Sequence, residues 1–121
     1  MKILDTNFVC SLFNQSDFNH EKALNIFFNI ENDEKVKIPF VVAAELSVNE
    51  NRKKYLRATK EITVKFLTNN ESDLEFITNL ALKSTKKLKA NDCLIIALCQ
   101  RLNADLLTFD KKLQKVLSRL R

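Results

Sequence analysis

The fold is decided by residues 90–110, which read ANDCLIIALCQRLNADLLTFD. Asp92 heads an apolar stripe with the spacing of a helix, formed by Ile95, Ile96, Cys99 and Leu102. A short apolar strand follows at 106–109 and leads to Asp110. Ligands bind at the C-terminal edge of open parallel sheets, and a carboxylate beside a buried stripe is costly to desolvate. Asp92 and Asp110 are therefore candidates for one site that holds a cation or another partner.

The rest of the chain predicts strands that alternate with helices. We expect strands at residues 2–4, 36–38, 62–67 and 106–109, with helices between them and a final helix after the last strand. Helical crossovers between successive strands imply a parallel sheet with helices on both faces. The predicted fold class is α/β, a three-layer α/β/α sandwich with a central parallel sheet, in a single domain over residues 1–121.

Two more acids occupy positions that suit the same site. Asp5 follows the first predicted strand, and Thr6 is the expected N-cap of the next helix. Glu45 lies on a predicted helix in register with an apolar stripe, formed by Val41, Ala44 and Val48. Taken singly, each acid has a structural alternative, as a helix cap, as a first-turn acid or as a side chain at the edge of its stripe.

Four carboxylates brought together would repel one another, so Asp5, Glu45, Asp92 and Asp110 would need positive charge between them. Mg²⁺ and Mn²⁺ are hard ions that prefer oxygen ligands, which is what these side chains offer. Such an ion polarises a phosphodiester and lowers the pKa of an attacking water molecule. The acid set therefore suits metal-dependent phosphodiester hydrolysis.

Composition excludes several other kinds of site. The chain of 121 residues has no glycine, one histidine and no Cys-x-x-Cys pair, which excludes Gly-rich phosphate loops and makes a zinc site untenable. Cys10, Cys93 and Cys99 are expected to be buried free thiols. No apolar run is long enough to cross a membrane, and the first residues enter a predicted strand directly. We therefore expect a cytoplasmic protein that does not contact a membrane.

Four motifs in this order resemble those of the PIN-domain ribonucleases, most closely the small VapC-type toxins of prokaryotic toxin–antitoxin pairs. They are residues 3–7 (ILDTN), Pro39 through 44–46 (AEL), 91–97 (NDCLIIA) and 105–110 (DLLTFD). Each motif alone has little specificity. Their order and spacing over nearly the whole chain make the resemblance specific.

The resemblance implies a site and an activity. Asp5, Glu45, Asp92 and Asp110 would be the catalytic and metal-binding acids, supported by Thr6, Asn7 and Thr108. The activity would be Mg²⁺- or Mn²⁺-dependent endonucleolytic cleavage of RNA by metal-activated water, leaving 5′-phosphate and 3′-hydroxyl ends. The implied partners are RNA as substrate, a cognate antitoxin protein and a second copy of the chain in a homodimer.

The chain departs from the family pattern in two places. Asn103 stands where relatives usually have glycine, and asparagine can adopt the same left-handed conformation. Many relatives also have a further C-terminal strand, whereas residues 111–121 are predicted to be helical. Without that strand, the edge of the sheet and the contacts in a dimer would differ from those of such relatives.

Charge is unevenly distributed along the chain. Residues 1–51 contain 4 basic and 8 acidic residues, a net charge of −4, whereas residues 52–121 contain 16 and 7, a net charge of +9. This asymmetry indicates either a polyanionic partner or a solvated, lysine-rich helical surface. If RNA binds, the residues expected along its path are Arg52, Lys53, Lys54, Lys86, Lys87 and Lys89.

Other functions are compatible with the same residues. A PIN nuclease that matures RNA would have no toxin role, and a catalytically silent PIN-like module would only bind RNA. A signalling receiver domain also gathers acids around Mg²⁺, but it would need adjacent acids after the first strand, and this chain has Asp5 alone there. Such a domain would also need a lysine after the last strand, a demand that Lys111 and Lys112 meet weakly.

Overall fold

The computed structural model describes residues 1–84 and 87–121. In these residues it contains three strands: β1 (Lys2–Leu4), β2 (Val36–Lys37) and β3 (Asp105–Leu107). The same residues contain seven helices: α1 (Thr6–Phe13), α2 (His20–Phe28), α3 (Phe40–Ser47), α4 (Arg52–Ile62), α5 (Glu71–Lys83), α6 (Ala90–Leu102) and α7 (Lys111–Leu120). Across the described ranges, no helix has both the length and the apolar character that crossing a bilayer requires.

The sheet is parallel, and β1 lies in its centre. Ile3 of β1 pairs with Lys37 of β2 on one side and with Leu106 of β3 on the other. Because all the strands run in the same direction, their C-terminal ends meet at one edge. Helices flank the sheet, which confirms the predicted α/β/α fold with a central parallel sheet.

The core forms around β1 and α6. Ile3 and Leu4 of β1 are fully buried, and so is the predicted stripe of α6 as far as Cys99. Leu102, the last member of that stripe, is half-buried and packs against the core. The cysteines are free thiols, as expected, although Cys10 is only half-buried.

The predicted strand at 62–67 is wrong. Helix α4 continues to Ile62, and Val64 is fully exposed, so the segment has no continuous buried face. Alternation of apolar and polar residues suggested such a face, but Ile62 belongs to α4, and beyond it the polar Thr63 is buried while Val64 is exposed. What remains of the pairing is an isolated parallel bridge between Pro39 and Leu67.

The buried face of α3 differs from the prediction by one position. Val42, Ala43 and Leu46 are buried, whereas Ala44 and Val48 are exposed. Residues 40–44 are all apolar, so the sequence period does not specify which side faces the core. Glu45 is half-buried at the border of the observed face.

The turn between α6 and β3 has the predicted left-handed residue. Asn103 has φ 49° and ψ 46° and is the one residue with positive φ in the described chain. Its backbone N–H donates to carbonyls of the last helical turn, and Ala104 donates to the carbonyl of Cys99 at 2.9 Å. The chain therefore reverses within two residues and enters β3 beside β1. The predicted C-terminal helix is also confirmed, as α7.

Candidate functional site

Asp5 lies where β1 ends and α1 begins. Its extended backbone and its side chain make it the N-cap of α1, because Oδ1 accepts the backbone N–H of Thr6 at 2.8 Å. The prediction that Thr6 is the cap is therefore wrong. Oδ2 of Asp5 accepts the Thr108 hydroxyl at 2.7 Å. The side chain is only 6% exposed, so these donors stabilise a carboxylate that has lost most of its water.

Asn7 and Thr108 connect the ends of the two paired strands. Thr108 directly follows β3, and its hydroxyl accepts the Asn7 amide at 3.1 Å and the backbone N–H of Asp110 at 3.0 Å. The Asn7 side-chain oxygen accepts the backbone N–H of Phe109 at 3.0 Å. The predicted supporting residues Asn7 and Thr108 therefore form one hydrogen-bond network with Asp5.

Asp110 caps the helix that follows β3. Its Oδ1 accepts the backbone N–H groups of Lys112 at 2.9 Å and Leu113 at 3.4 Å. A carboxylate at this position satisfies orphan donors and interacts favourably with the helix dipole. The cap holds Asp110 at the C-terminal edge of the sheet, where Asp5 also lies.

Glu45 reaches the same region from α3. Its Oε1 accepts the Thr6 hydroxyl at 2.9 Å, so Thr6 links α3 to the first turn of α1. Helix α3 also packs against α6, which carries Asp92 in its first turn. Through its hydrogen bond to Glu45, Thr6 therefore supports a predicted site residue, and the packing of α3 against α6 brings Glu45 towards the helix of Asp92.

Electrostatic effects connect the four acids. Burial raises the pKa of Asp5; hydrogen bonds from Thr108 and Thr6 act in the opposite direction, and the charges of Asp92 and Glu45 raise the pKa further. Burial and the charge of Asp110 raise the pKa of Asp92. Asp5 therefore interacts with Asp92 and Glu45, and Asp92 interacts with Asp110; these four carboxylates are called the acid cluster below.

The donor chemistry of the acid cluster fits a hard divalent cation. Its members offer carboxylate oxygens, and the Asp5 carboxyl is destabilised in its charged form by its neighbours, a penalty that a cation would remove. In residues 1–84 and 87–121, however, no three His, Cys, Asp or Glu side chains are arranged closely enough to hold a metal ion. An ion bound here would have to draw the carboxylates together.

The predicted basic residues fall in two places. Arg52, Lys53 and Lys54 are exposed in the first turn of α4, which packs against α1 and α3. Lys87 and Lys89 are exposed in residues 87–89, called the basic link below, immediately before α6. The charge of Lys89 acts to lower the pKa of Asp92, so the basic link contributes to the electrostatics of the acid cluster. Lys86 lies outside the described residues.

Lys112 lies at the site, although the sequence suggested it only as the lysine of a receiver domain and not as part of a nuclease site. Its charge also lowers the pKa of Asp92, and it lies in the first turn of the helix that Asp110 caps. The signal in the sequence was its position two residues after a candidate N-cap. Because Lys111 and Lys115 lie nearby, the sequence does not distinguish Lys112 from its neighbouring lysines.

Three solved structures from bacteria have a similar fold. VapC20 of Mycobacterium tuberculosis, described as a sarcin-ricin loop cleaving toxin, has 14% identity and a TM-score of 0.73, over 95% of this chain and 94% of that chain. FitAcB from Neisseria gonorrhoeae has 19% identity and a TM-score of 0.72, over 98% and 94%. VapBC2 from Rickettsia felis, bound to a DNA fragment from their promoter, has 17% identity and a TM-score of 0.68, over 95% and 92%. At these identities the similarity concerns the fold.

Comparison of the sequence with models of protein families identifies the family of this chain. No curated protein matches the chain. The family model described as PIN domain matches residues 2–117, which is nearly the whole sequence and includes every member of the acid cluster. The fold, with its central parallel sheet and flanking helices, agrees with that match. The chain belongs to the PIN domain family.

Proposed function

We propose that this protein is a Mg²⁺- or Mn²⁺-dependent endoribonuclease and the toxin of a toxin–antitoxin pair. The observation that carries the nuclease proposal is the acid cluster, in which Asp5 is buried beside the charges of Asp92 and Glu45. Burying like charges together is costly, and a divalent cation at the same point would offset that cost. Membership of the PIN domain family supports a nuclease over a receiver domain.

Each residue of the site has a defined task in this proposal. Asp5, Glu45, Asp92 and Asp110 would hold the ion, which when bound would polarise the scissile phosphodiester and make an attacking water molecule more acidic. The network of Asn7 and Thr108 fixes the orientation of Asp5. Thr6 does the same for Glu45, and the first turn of α7 does so for Asp110.

RNA would be bound through the basic second half of the chain. The +9 net charge of residues 52–121 supports a polyanionic substrate, because lysine and arginine contacts to phosphates supply the sequence-independent part of the affinity. Lys87 and Lys89 are the predicted residues nearest to Asp92 along the chain. They would hold the phosphates that flank the bond to be cut.

The toxin role rests on likeness to solved structures. VapC20 is described as a toxin, and VapBC2 is bound to a DNA fragment from their promoter. By analogy, a cognate antitoxin protein would bind this chain and silence it, and two copies would form a homodimer. The alternatives are an RNA-maturing PIN nuclease and a silent RNA-binding module.

A cleavage assay tests the nuclease proposal. Wild-type protein, Asp92→Asn and Asp105→Asn are incubated with mixed cellular RNA, first in EDTA and then with Mg²⁺ or Mn²⁺. Asp105 is the matched control, because it is an exposed acid at the opposite edge of the sheet, paired with Lys2 and Arg121. We expect metal-dependent 5′-phosphate ends from the wild type and Asp105→Asn, and none from Asp92→Asn.

The same variants distinguish the alternatives. Full activity in Asp92→Asn, or cleavage in EDTA, contradicts the proposed site. RNA binding without cleavage by the wild type identifies a silent module. Growth arrest after induction of the wild type but not of Asp92→Asn supports the toxin role, whereas unchanged growth with active enzyme favours RNA maturation.

A further inference from the structure

The backbone of Lys112 is fixed by the acid cluster itself. Its N–H donates to Oδ1 of Asp110 at 2.9 Å, so Lys112 occupies the first turn of α7 next to the C-terminal edge of the sheet. The residue is half-buried, in contrast to its exposed neighbour Lys111. The side chain of Lys112 therefore leaves the helix along the protein surface rather than directly into water.

The ammonium group of Lys112 lies between the acid cluster and the basic link. Its Nζ donates to the backbone carbonyl of Lys87 at 2.6 Å. Its charge also acts on Asp92 and on the adjacent Cys93, both in the first turn of α6. Helix α7 and the basic link therefore meet at one cationic group, whose charge acts on the first turn of α6.

The hydrogen-bond acceptor of the Lys112 ammonium is a neutral group. Within the described residues its ammonium forms no salt bridge with a carboxylate, and its hydrogen bond goes to the Lys87 carbonyl instead. An ammonium has three donors and prefers a charged acceptor. A phosphate oxygen beside the acid cluster would supply such an acceptor.

We propose that Lys112 binds a phosphate of the RNA next to the bond that is cleaved, on the side of the basic link. This inference rests on the proposed function and deepens it, because it names a phosphate-binding residue and the side from which the strand approaches. The Lys87 carbonyl keeps the ammonium in position before RNA arrives. Lys87 and Lys89 continue the same phosphate path away from the acid cluster.

The variants Lys112→Gln, Lys112→Arg and Lys115→Gln test the proposal. Lys115 is the control, since it is an exposed lysine on the same helix and its replacement removes the same charge. Binding of a fluorescent single-stranded RNA is measured in EDTA at a series of salt concentrations. Steady-state cleavage of the same RNA is measured with saturating Mg²⁺, and the melting temperature of each variant is recorded.

We expect Lys112→Gln to lose one phosphate contact. The slope of log affinity against log salt should become less steep by about 0.7, the value for one contact to a single strand. KM should rise about tenfold, the equivalent of one hydrogen bond to a charged group, while kcat changes little. Lys112→Arg should retain both values near those of the wild type, and Lys115→Gln should resemble the wild type.

Two results would overturn the proposal. One is a salt slope and KM in Lys112→Gln equal to those of Lys115→Gln. The other is a lower melting temperature and kcat with an unchanged slope, which would make Lys112 a structural tether of the basic link. Failure of the proposed function would give a different result. Wild-type protein that cleaves no RNA with Mg²⁺ or Mn²⁺ would contradict the nuclease proposal, whereas the salt slope would still test whether Lys112 contacts a phosphate.

Discussion

Asp5 is a carboxylate that the fold buries beside two other carboxylates. Its charged form is stabilised by the Thr108 hydroxyl and by the N–H of Thr6, and it is destabilised by burial and by Asp92 and Glu45. The Thr108 hydroxyl also accepts hydrogen bonds, from Asn7 and from the backbone of Asp110. One hydroxyl group therefore aligns the strand ends that carry two members of the acid cluster.

Thr108→Val should test this alignment. The substitution keeps the shape of the side chain but leaves Asp5 with one donor fewer, so unfolding free energy should fall by about 1–3 kcal/mol. Metal-dependent RNA cleavage should fall at least about tenfold, as for other groups that orient metal ligands. Urea unfolding and the cleavage assay measure the two effects.

Thr78→Val is the control for Thr108→Val. Thr78 is an exposed residue of α5 whose hydroxyl donates to the carbonyl of Leu74. The Thr78→Val substitution should change neither the unfolding free energy nor the rate of RNA cleavage appreciably. Wild-type cleavage by Thr108→Val would contradict the role of this hydroxyl in orienting Asp5.

At the scale of the element, α6 and the turn after it are the best predicted part of the chain. Ile95, Ile96 and Cys99 of the stripe that begins at Asp92 are buried, as are residues 93, 97 and 98 outside it, and Asn103 ends the helix in the left-handed conformation. Both features are local, so periodicity and residue type are sufficient to find them. The strand predicted at 62–67 is wrong because the alternation of residues does not match their burial: the polar Thr63 is buried, whereas Val64 is fully exposed.

Asn103→Ala and Asn103→Gly test the turn. Alanine should reduce the unfolding free energy by about 1 kcal/mol, because it keeps the β-carbon that is unfavourable in the left-handed region but lacks the short polar side chain with which asparagine offsets that cost. Glycine adopts this region readily and should be nearly neutral. Urea unfolding of both variants measures the difference, and equal stability of the two would contradict the observed backbone conformation.

An ion pair between the buried Asp73 and the exposed Arg101 fastens α5 to α6. Asp73 is 2% exposed and accepts from Arg101 Nε at 3.0 Å and from Asn69 at 2.8 Å. Burial raises the pKa of Asp73, but hydrogen bonds from Arg101, Asn69 and the backbone of Asn70 outweigh it and lower the pKa below 3.8. A carboxyl whose pKa is lowered by folding stabilises the fold when charged.

Asp73→Asn should therefore have a pH-dependent effect. Well above pH 3.8, the usual pKa of the group, the wild type should be more stable than the variant by about 2 kcal/mol. As pH falls through the lowered pKa of the folded state, the wild type should lose this advantage. Urea unfolding of both proteins at neutral and at acidic pH measures the gap, and a gap independent of pH would contradict the charged pair.

At the scale of the whole molecule, the parallel sheet explains how distant residues meet. Asp5 and Asp110 follow neighbouring strands, and α3 and α6 bring Glu45 and Asp92 towards the same edge. The order of strands and helices predicted this convergence, because parallel strands end at one edge. The sequence could not predict the hydrogen bond of Thr108 to Asp5 or that of Lys112 to Lys87, since each joins positions far apart in the chain.

Measurement of Mn²⁺ affinity tests most directly the claim that the acid cluster is one metal site. Calorimetric titration of Mn²⁺ compares the wild type with Asp5→Asn, Asp92→Asn and the control Asp105→Asn. We predict a binding event in the wild type and in the control, weakened at least about tenfold in the other two, because a ligand should matter no less than its supporting residues. Equal Mn²⁺ affinity in all four proteins would contradict the account.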